Sequence, residues 1–457
     1  MFQAVMERFS EQAPAALLFR GMVAWVFSDE QLEKIFRQFK ERQVESELLF
    51  STMIRLLTRV VVGSKRSVNA AFVDMKQEVG VSSQALYDKL AGVELPVSEA
   101  LVRVPVESLM KIVKRTRIIY DDPIPGYRTY VIDGKRLDGT EHRLKETRSI
   151  TNAPLPGTGV AVLDMQHRLF VDIALDEDAH ACERKVLKRM IPRLEKGALY
   201  IQDRNFSDGP LIDQYCKAKA YFLVRQHRRS PVWQTTGPLE NKGVDARGGK
   251  VSEQASQVKL PDGSWKAVRR VVIKLATPTR NEDKEISVLT NLPPKVTAVQ
   301  IANGYAKRWT VETCLGHLAQ ALKAEINTLA YPRAALVGFA VALVVFNIIS
   351  TLQTLLLKYG RCKEKPKLSK YYLACEIAET MRGLEIMTDQ ADWRRVARMT
   401  FDQFYQWAKR IAQQAQLQKY KSTTRGPKRS PPKRRTINNS THISTYKILQ
   451  QRSKLLA

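Results

Sequence analysis

The stretch from Ala334 to Leu357, AALVGFAVALVVFNIISTLQTLLL, carries no charged residue, and its side chains have to be buried in something. A helix apolar on all sides has two stable surroundings, a lipid bilayer or the centre of a large protein. The stretch is long enough to span a bilayer. Its second half, however, holds Asn347, Ser350, Thr351, Gln353 and Thr354. Hydrocarbon offers such groups no hydrogen-bond partner, whereas a protein interior does. The turn Tyr331-Pro332-Arg333 precedes the stretch, and no second one like it recurs. The expectation is therefore a buried core helix and no membrane, with the rest of the chain folded around it. With 44% hydrophobic residues the chain can supply such a core.

A chain of 457 residues leads one to expect about two to four domains. Its charge is lopsided: 74 Lys and Arg against 46 Asp and Glu give +28. That excess favours a polyanionic partner, nucleic acid or an anionic membrane surface, and does not by itself choose between them. The five cysteines, Cys182, Cys216, Cys314, Cys362 and Cys375, include no CxxC pair of the kind that binds zinc. An odd, scattered set fits a reducing cytoplasm. The first residues, MFQAVMERFSEQ, lack the basic segment of a signal peptide, so none is expected.

Along the chain the character changes several times. Residues 1–118 are expected to form a helical N-terminal domain, with apolar residues at three- and four-residue steps in Asp29–Val44 and Glu47–Val61. Residues 67–93 place Gly80 between two short helices, the second opening at Ser82 or Ser83, with Ser83 as a candidate cap. This pattern suits a DNA-reading helix-turn-helix and suits plain helical packing equally. From Asp122 to Gly126 the helical run breaks. Strands are expected at Tyr127–Asp133, Gly159–Asp164, Leu169–Ala174, Leu199–Gln202 and Tyr221–Arg225, with helices at Glu183–Glu195 and Leu211–Lys219. The order strand, strand, strand, helix, strand, helix, strand is that of a ribonuclease H-like mixed sheet of the α/β class. Residues 119–227 would be its first part and 285–360 its second, opening on a strand at Ile286–Leu289 and becoming helical from Thr297 to Leu329. Between them, residues 228–284 are polar and mostly extended, with an Asp262-Gly263 hairpin turn, and are expected to form an inserted β subdomain. Residues 361–457 are expected to be helical with a basic tail, KYKSTTRGPKRSPPKRR from Lys419 to Arg435, either a phosphate-touching arm or a merely solvated one.

Three carboxylates stand out. Tyr130-Val131-Ile132-Asp133-Gly134 is an apolar strand closing on an acid, and Leu199-Tyr200-Ile201-Gln202-Asp203 is another. A buried lone charge is costly, so an acid in that position needs a cation or a partner. Asp138 and Asp208 compete for the same role but sit in turn-like contexts beside Gly139 and Ser207. Further on, Tyr305, Arg308 and Glu312 fall at helical steps of three and four and so share one helix face. Such a face can present a metal ligand beside a guanidinium suited to phosphate, and it can equally be an ordinary Arg–Glu salt bridge.

These residues carry a resemblance. Tyr305, two residues, Arg308, three residues and Glu312, with Trp309 among them, resemble the signature of DDE transposases of bacterial insertion sequences, insertion-sequence family four. So do VIDGKRLDGTEHRLKETR, APLPGTG at 153–159 and AEINTLAYPRAALVGFAVALVVFNIIS; the likeness spans roughly residues 45–360. The signature's Lys is expected at position 319, which is Ala319, and Lys323 lies one turn on. The resemblance implies a ribonuclease H-like core with a β insertion and metal-dependent cut-and-paste transposition, meaning cleavage of transposon ends and strand transfer. It implies that Asp133, Asp203 and Glu312 bind two Mg²⁺ ions, with Mn²⁺ as a substitute. Tyr305 and Arg308 would hold phosphates, with Lys323 a candidate third contact. Trp265, ahead of Trp233, would stack on a base flipped from the duplex, against the simpler role of packing a hairpin. The implied partners are terminal inverted repeats and target DNA, handled by a homodimer in a synaptic complex within a bacterial cytoplasm, at the nucleoid. The competing expectation is a DNA-binding protein without chemistry, or an inactive relic.

Overall fold

The computed structural model describes residues 2–45, 47–279, 282–423 and 442–456. Most of the expected basic arm, from residue 424 to 435, lies outside them.

Eight helices come first: α1 Phe2–Gln12, α2 Pro14–Val26, α3 Asp29–Phe39, α4 Phe50–Val61, α5 Val68–Asp74, α6 Lys76–Val79, α7 Ser83–Gly92 and α8 Leu95–Thr116. Helix α3 ends before the expected Val44 and α4 starts after the expected Glu47. In the helix-turn-helix candidate the first helix breaks at Met75 into α5 and α6, and Gly80 turns the chain at φ +67°. The cap of α7 is Ser82, whose hydroxyl accepts from Ala85 N–H, so Ser83 is the first helical residue rather than the cap.

Strands β1 Thr129–Arg136, β2 Thr158–Asp164 and β3 Leu169–Asp176 follow. Then come α9 Glu183–Lys188, β4 Leu199–Gln202, α10 Gly209–Lys217 and β5 Tyr221–Arg225. Helix α9 is shorter than the expected Glu183–Glu195: a single-turn helix at Ile191–Arg193 takes over where Pro192 can donate no backbone bond. Next are β6 Trp233–Val244, β7 Lys250–Lys259, β8 Trp265–Lys274 and β9 Glu285–Thr290, with Gly263 turning the β7–β8 hairpin at φ +84°. All nine strands form one mixed sheet in the order β3-β2-β1-β4-β5-β9-β8-β7-β6. Strands β1, β4 and β5 run parallel to their neighbours in that trio, and the other pairings are antiparallel. The polar middle segment thus extends the sheet through β8–β9 pairing.

The remaining helices are α11 Ala298–Ala306, α12 Trp309–Ala321, α13 Pro332–Tyr359, α14 Lys370–Met387, α15 Gln390–Ala397, α16 Phe401–Ala412 and α17 Thr445–Leu456. The helical run expected from Thr297 to Leu329 is thus two helices followed by an irregular stretch. Strand alternation sends Val131, Leu199, Ile201 and Leu223 to a core shared with α8 and α13, and Tyr130, Ile132, Tyr200 and Phe222 to a second core under α9 and α10.

Helix α13 is the buried axis of this arrangement. It is long and apolar enough to cross a membrane, and its apolar window is wholly inside the protein. It packs on α2, α4, α7, α8, α14, α16 and β3. Its polar residues find the partners that hydrocarbon would deny them. Gln353 Nε2 donates to Leu368 O at 2.9 Å, and the Thr351 and Thr354 hydroxyls donate to Asn347 O and Ser350 O. Asn347 Oδ1 accepts from Phe170 N–H while its Nδ2 donates to Phe170 O, each at 2.8 Å. Phe170 lies on β3, one of the sheet's two edge strands, and Glu99 of α8 accepts from Leu175 N–H on the same strand at 2.9 Å. The edge is closed by helix side chains instead of being left for another chain to pair with. Helices from the two ends of the chain also pack together: Glu376 of α14 caps the start of α2 through Ala15 and Ala16 N–H, and Trp25 stacks on Phe404 at 4.5 Å.

Candidate active site

The register of the parallel pair β1–β4 builds the centre of the site. Ile132 is partnered with Gln202, so the next residues, Asp133 and Asp203, come side by side where β4 ends, although β1 runs on past the expected Asp133 to Arg136 in its pairing with β2. Each lies two residues beyond an inward-facing apolar residue, Val131 and Ile201, and Asp203 keeps an extended backbone at ψ 171°. Both carboxylates therefore face the side of the sheet that carries α8, α12 and α13.

Tyr305, Arg308 and Glu312 approach from that side. The run is not one continuous helix: α11 ends at Ala306, and Lys307 and Arg308 close tight turns onto Gly304 O and Tyr305 O before α12 begins at Trp309. The backbone stays right-handed through the joint, so the three-and-four spacing still gathers the side chains. Arg308 Nη2 meets Glu312 Oε1 at 2.6 Å, with the guanidinium almost wholly buried. Its Nε and Nη1 are buried with no hydrogen-bond partner among the described residues. Two orphaned donors of a fixed charge are what an oxyanion such as phosphate would satisfy.

The electrostatics tie the group together. Burial, then the neighbouring carboxylates of Glu312, Asp203 and Glu183, push the Asp133 carboxyl up to about 7, against the opposing pull of Arg308. Arg308 is held above the ordinary arginine range: burial works against its charge, and Tyr305, Asp203, Glu312 and Asp133 outweigh it. Burial raises the Tyr305 hydroxyl, which stays neutral.

Glu183, at the start of α9, was not legible as part of the site. It lies over the reverse face of β1: a Cβ on Gly134 would fall 2.3 Å from its carboxyl carbon. Gly134 follows Asp133 because a side chain there would displace this carboxylate. Burial raises the Glu183 carboxyl, Asn205 and Arg136 oppose that, and Asp203 adds to it. The only sequence signal was the glycine.

Chemically the carboxylate oxygens suit a hard divalent cation, which would offset both the burial that chiefly lifts Asp133 and the smaller repulsion from its neighbouring carboxylates. Glu312 is engaged by Arg308, and among the described residues no three His, Cys, Asp or Glu side chains are gathered closely enough to hold one ion. The rival acids are occupied elsewhere: Asp138 is exposed beside Lys135, and Asp208 precedes α10, near Ser230 and Arg184.

The other expected contacts are dispersed. Lys323 Nζ donates to Arg66 O at 3.1 Å, and no hydrogen bond or ion pair among the described residues links it to the carboxylates. Position 319 lies on α12. Trp265 opens β8 opposite Lys259 and is 40% exposed, while one face of Trp233 is covered by the Arg270 guanidinium at 4.8 Å. Trp309 is 57% exposed and lies against Arg308 at 5.1 Å. The β ribbon reaches the site indirectly. Arg269 binds Glu253 through two donors and donates Nη1 to the carbonyls of Leu292, Pro293 and Val296, on the segment that leads into α11. Ala246 N–H and Arg247 at the β6–β7 turn bond to Asn303 and Ala306 O of α11 itself.

Residues 124–348 match the family model described as the transposase DDE domain, a span that holds Asp133, Asp203, Tyr305, Arg308 and Glu312. A comparison with curated proteins finds no match. Among solved structures the chain is similar to a cryo-EM structure of piggyBac transposase in a synaptic complex with hairpin DNA, at 12% identity and a TM-score of 0.35, over 84% of each chain.

Proposed function

We propose, on the premise of the DDE-domain match across residues 124–348, that the chain is a DNA transposase of the insertion-sequence family-four type, which cleaves the ends of a mobile element and joins them to target DNA. The observation that carries this reading is the meeting of Asp133 and Asp203 by strand register with the Arg308–Glu312 pair, whose guanidinium has two unfilled donors. The strand order β3-β2-β1-β4-β5, with β1, β4 and β5 parallel, supports a ribonuclease H-like core. The proposed partners are terminal repeats and target DNA, with two copies in a synaptic complex, in the bacterial cytoplasm at the nucleoid. Helices α5–α7 and the net charge of +28 support duplex contact by the N-terminal region.

Asp133, Asp203 and Glu312 would hold Mg²⁺. Bound divalent ions supply a more acidic attacking water or 3′-hydroxyl and a stabilised leaving oxygen. The chain's own residues do the rest. Arg308 neutralises Glu312 until substrate arrives, and its two free donors then fix the non-bridging oxygens of the scissile phosphate. Tyr305, neutral and buried behind Arg308, holds the guanidinium in place. The ribbon, through Arg269, sets the position of α11 and so of both residues. Trp309 walls the site on its solvent side.

The test uses purified full-length protein and a duplex carrying the element's own flanking repeats. Asp133→Asn and Glu312→Gln are expected to abolish Mg²⁺-dependent cleavage and joining while leaving duplex binding intact. Cleavage that survives both substitutions would overturn the assignment. A second reading, a relic that binds DNA without chemistry, is favoured by Ala319 in place of the signature Lys. It predicts no cleavage by the unsubstituted protein with Mg²⁺ or Mn²⁺.

A further inference from the structure

Behind the carboxylates, over the reverse face of β1, lies a cavity of about 420 Å³ that this mechanism does not use. Four segments distant in sequence bring guanidinium groups to it: Arg136 at the end of β1, Arg184 in α9, Arg204 just after Asp203, and Arg229 after β5. One carboxylate, Glu183, faces them, and Asn205 and Arg136 lie against it. Arg136 is braced by Nε donating to Ala179 O at 2.9 Å, and Arg184 stands 3.6 Å from Asp208. Arg204 and Arg229 are exposed, and neither makes an ion pair among the described residues. Four guanidinium groups outnumber Glu183 and Asp208, the acids beside them, and this positive excess favours an anion in the cavity. Planar guanidinium groups reaching one space from several directions suit the tetrahedral oxygens of phosphate.

We propose that this cavity receives a backbone phosphate of a DNA strand, as a second contact point separated from the scissile phosphate by the thickness of β1. Two observations choose a strand over a small anion. The cavity is several times larger than one phosphate needs, since a water occupies about 30 Å³. Arg204 is also the immediate neighbour of Asp203, so a strand leaving the carboxylates passes the cavity mouth. The proposal rests on the DNA-processing reading and needs none of its chemistry.

Cys182, exposed and on the cavity wall, reports occupancy. The full-length protein, in EDTA so that no cleavage intervenes, is treated with iodoacetamide with and without a random-sequence duplex at about 50 mM salt, where phosphate contacts dominate binding. Cys182 alkylation is followed by peptide mass spectrometry and duplex binding by gel shift. The bound duplex is expected to slow Cys182 alkylation severalfold. In Arg204→Gln/Arg229→Gln that protection ratio should fall towards one, and the slope of log affinity against log salt should shrink by about 1–2, one unit per lost phosphate contact. A duplex that binds without protecting Cys182 overturns the cavity assignment and leaves the transposase reading standing. So does equal protection in the double variant, which would place the shielding elsewhere. Inorganic pyrophosphate at matched ionic strength is the third arm: protection as strong as the duplex gives would assign the cavity to a small phosphate and overturn the strand. Failure of the duplex to bind at all overturns both readings.

Discussion

Replacing Asn347 with leucine tests whether α13 belongs to the sheet or merely sits in apolar surroundings. Asn347 is fully buried, and its amide satisfies both the N–H and the C=O of Phe170 at 2.8 Å. Leucine has the same heavy-atom branching as asparagine, so the substitution keeps the side-chain shape, adds a little bulk and removes both partners. Each buried backbone group left unmade costs about 1–3 kcal/mol, giving about 2–6 kcal/mol for the pair. Leucine's greater apolar burial returns about 1–2 kcal/mol, which leaves a net loss of about 0–5 kcal/mol, with about 2 kcal/mol near the middle of that range. Because β3 is an edge strand of the sheet, the loss should appear first as local opening of that strand. Hydrogen exchange read by mass spectrometry on peptides covering residues 167–176 is the direct assay. At 1.4 kcal/mol per factor of ten, 2 kcal/mol is about a 30-fold loss of protection. Peptides from β7, seven strands along the sheet from β3, serve as the internal control. A change of less than about threefold in the β3 peptides would mean that the two hydrogen bonds contribute little net. The polar residues of α13 would then be incidental rather than the reason the helix lies in protein.

Other expectations follow from the same structure. The Arg269→Met substitution removes three carbonyl contacts and a two-donor pair with Glu253, a loss of about 3 kcal/mol or more if each bond is worth about 1. Exchange protection should fall in α11, and cleavage should slow with duplex affinity little changed; an unaltered α11 would remove the ribbon from the site's support. Glu94 accepts from Glu41 and Arg42 N–H at 2.6 and 2.8 Å, and although burial raises its carboxyl, these bonds and one from Gln43 outweigh it and hold the carboxyl below the ordinary range. A depressed carboxylate contributes stability above its unfolded value, about 4.3, and loses it as pH falls through the lower folded value. Thermal midpoints measured downward from pH 6 should therefore decline below about pH 4.3, and Glu94→Gln should decline less steeply; parallel curves would refute the assignment. Gly134→Val should displace Glu183 and impair cleavage without unfolding the protein, checked by activity alongside circular dichroism.

What could be read from residues alone was whatever chemistry is local. Tyr305, Arg308 and Glu312 lie within two turns of helix, so their spacing already brings the last two together, and the break at Lys307 does not undo it. The apolar length of α13 and its five polar interruptions likewise argued for a protein interior before any partner was known. Asp133 and Asp203 were each visible as an acid closing an apolar strand. Their adjacency was not, because it depends on a parallel register between strands separated by two other strands and a helix. The same holds for the partner of Asn347, for Glu183 settling over Gly134, and for the polar ribbon, whose strands extend the main sheet through β8–β9 pairing. The arginine cavity is the furthest from local, since each of its four arginines reads as ordinary surface charge in its own segment. Spacing within a helix follows from backbone hydrogen bonds four residues apart. Which strand ends meet, and which charges then face one another, follows from burying two faces of one sheet at once, and only the tertiary fold decides that.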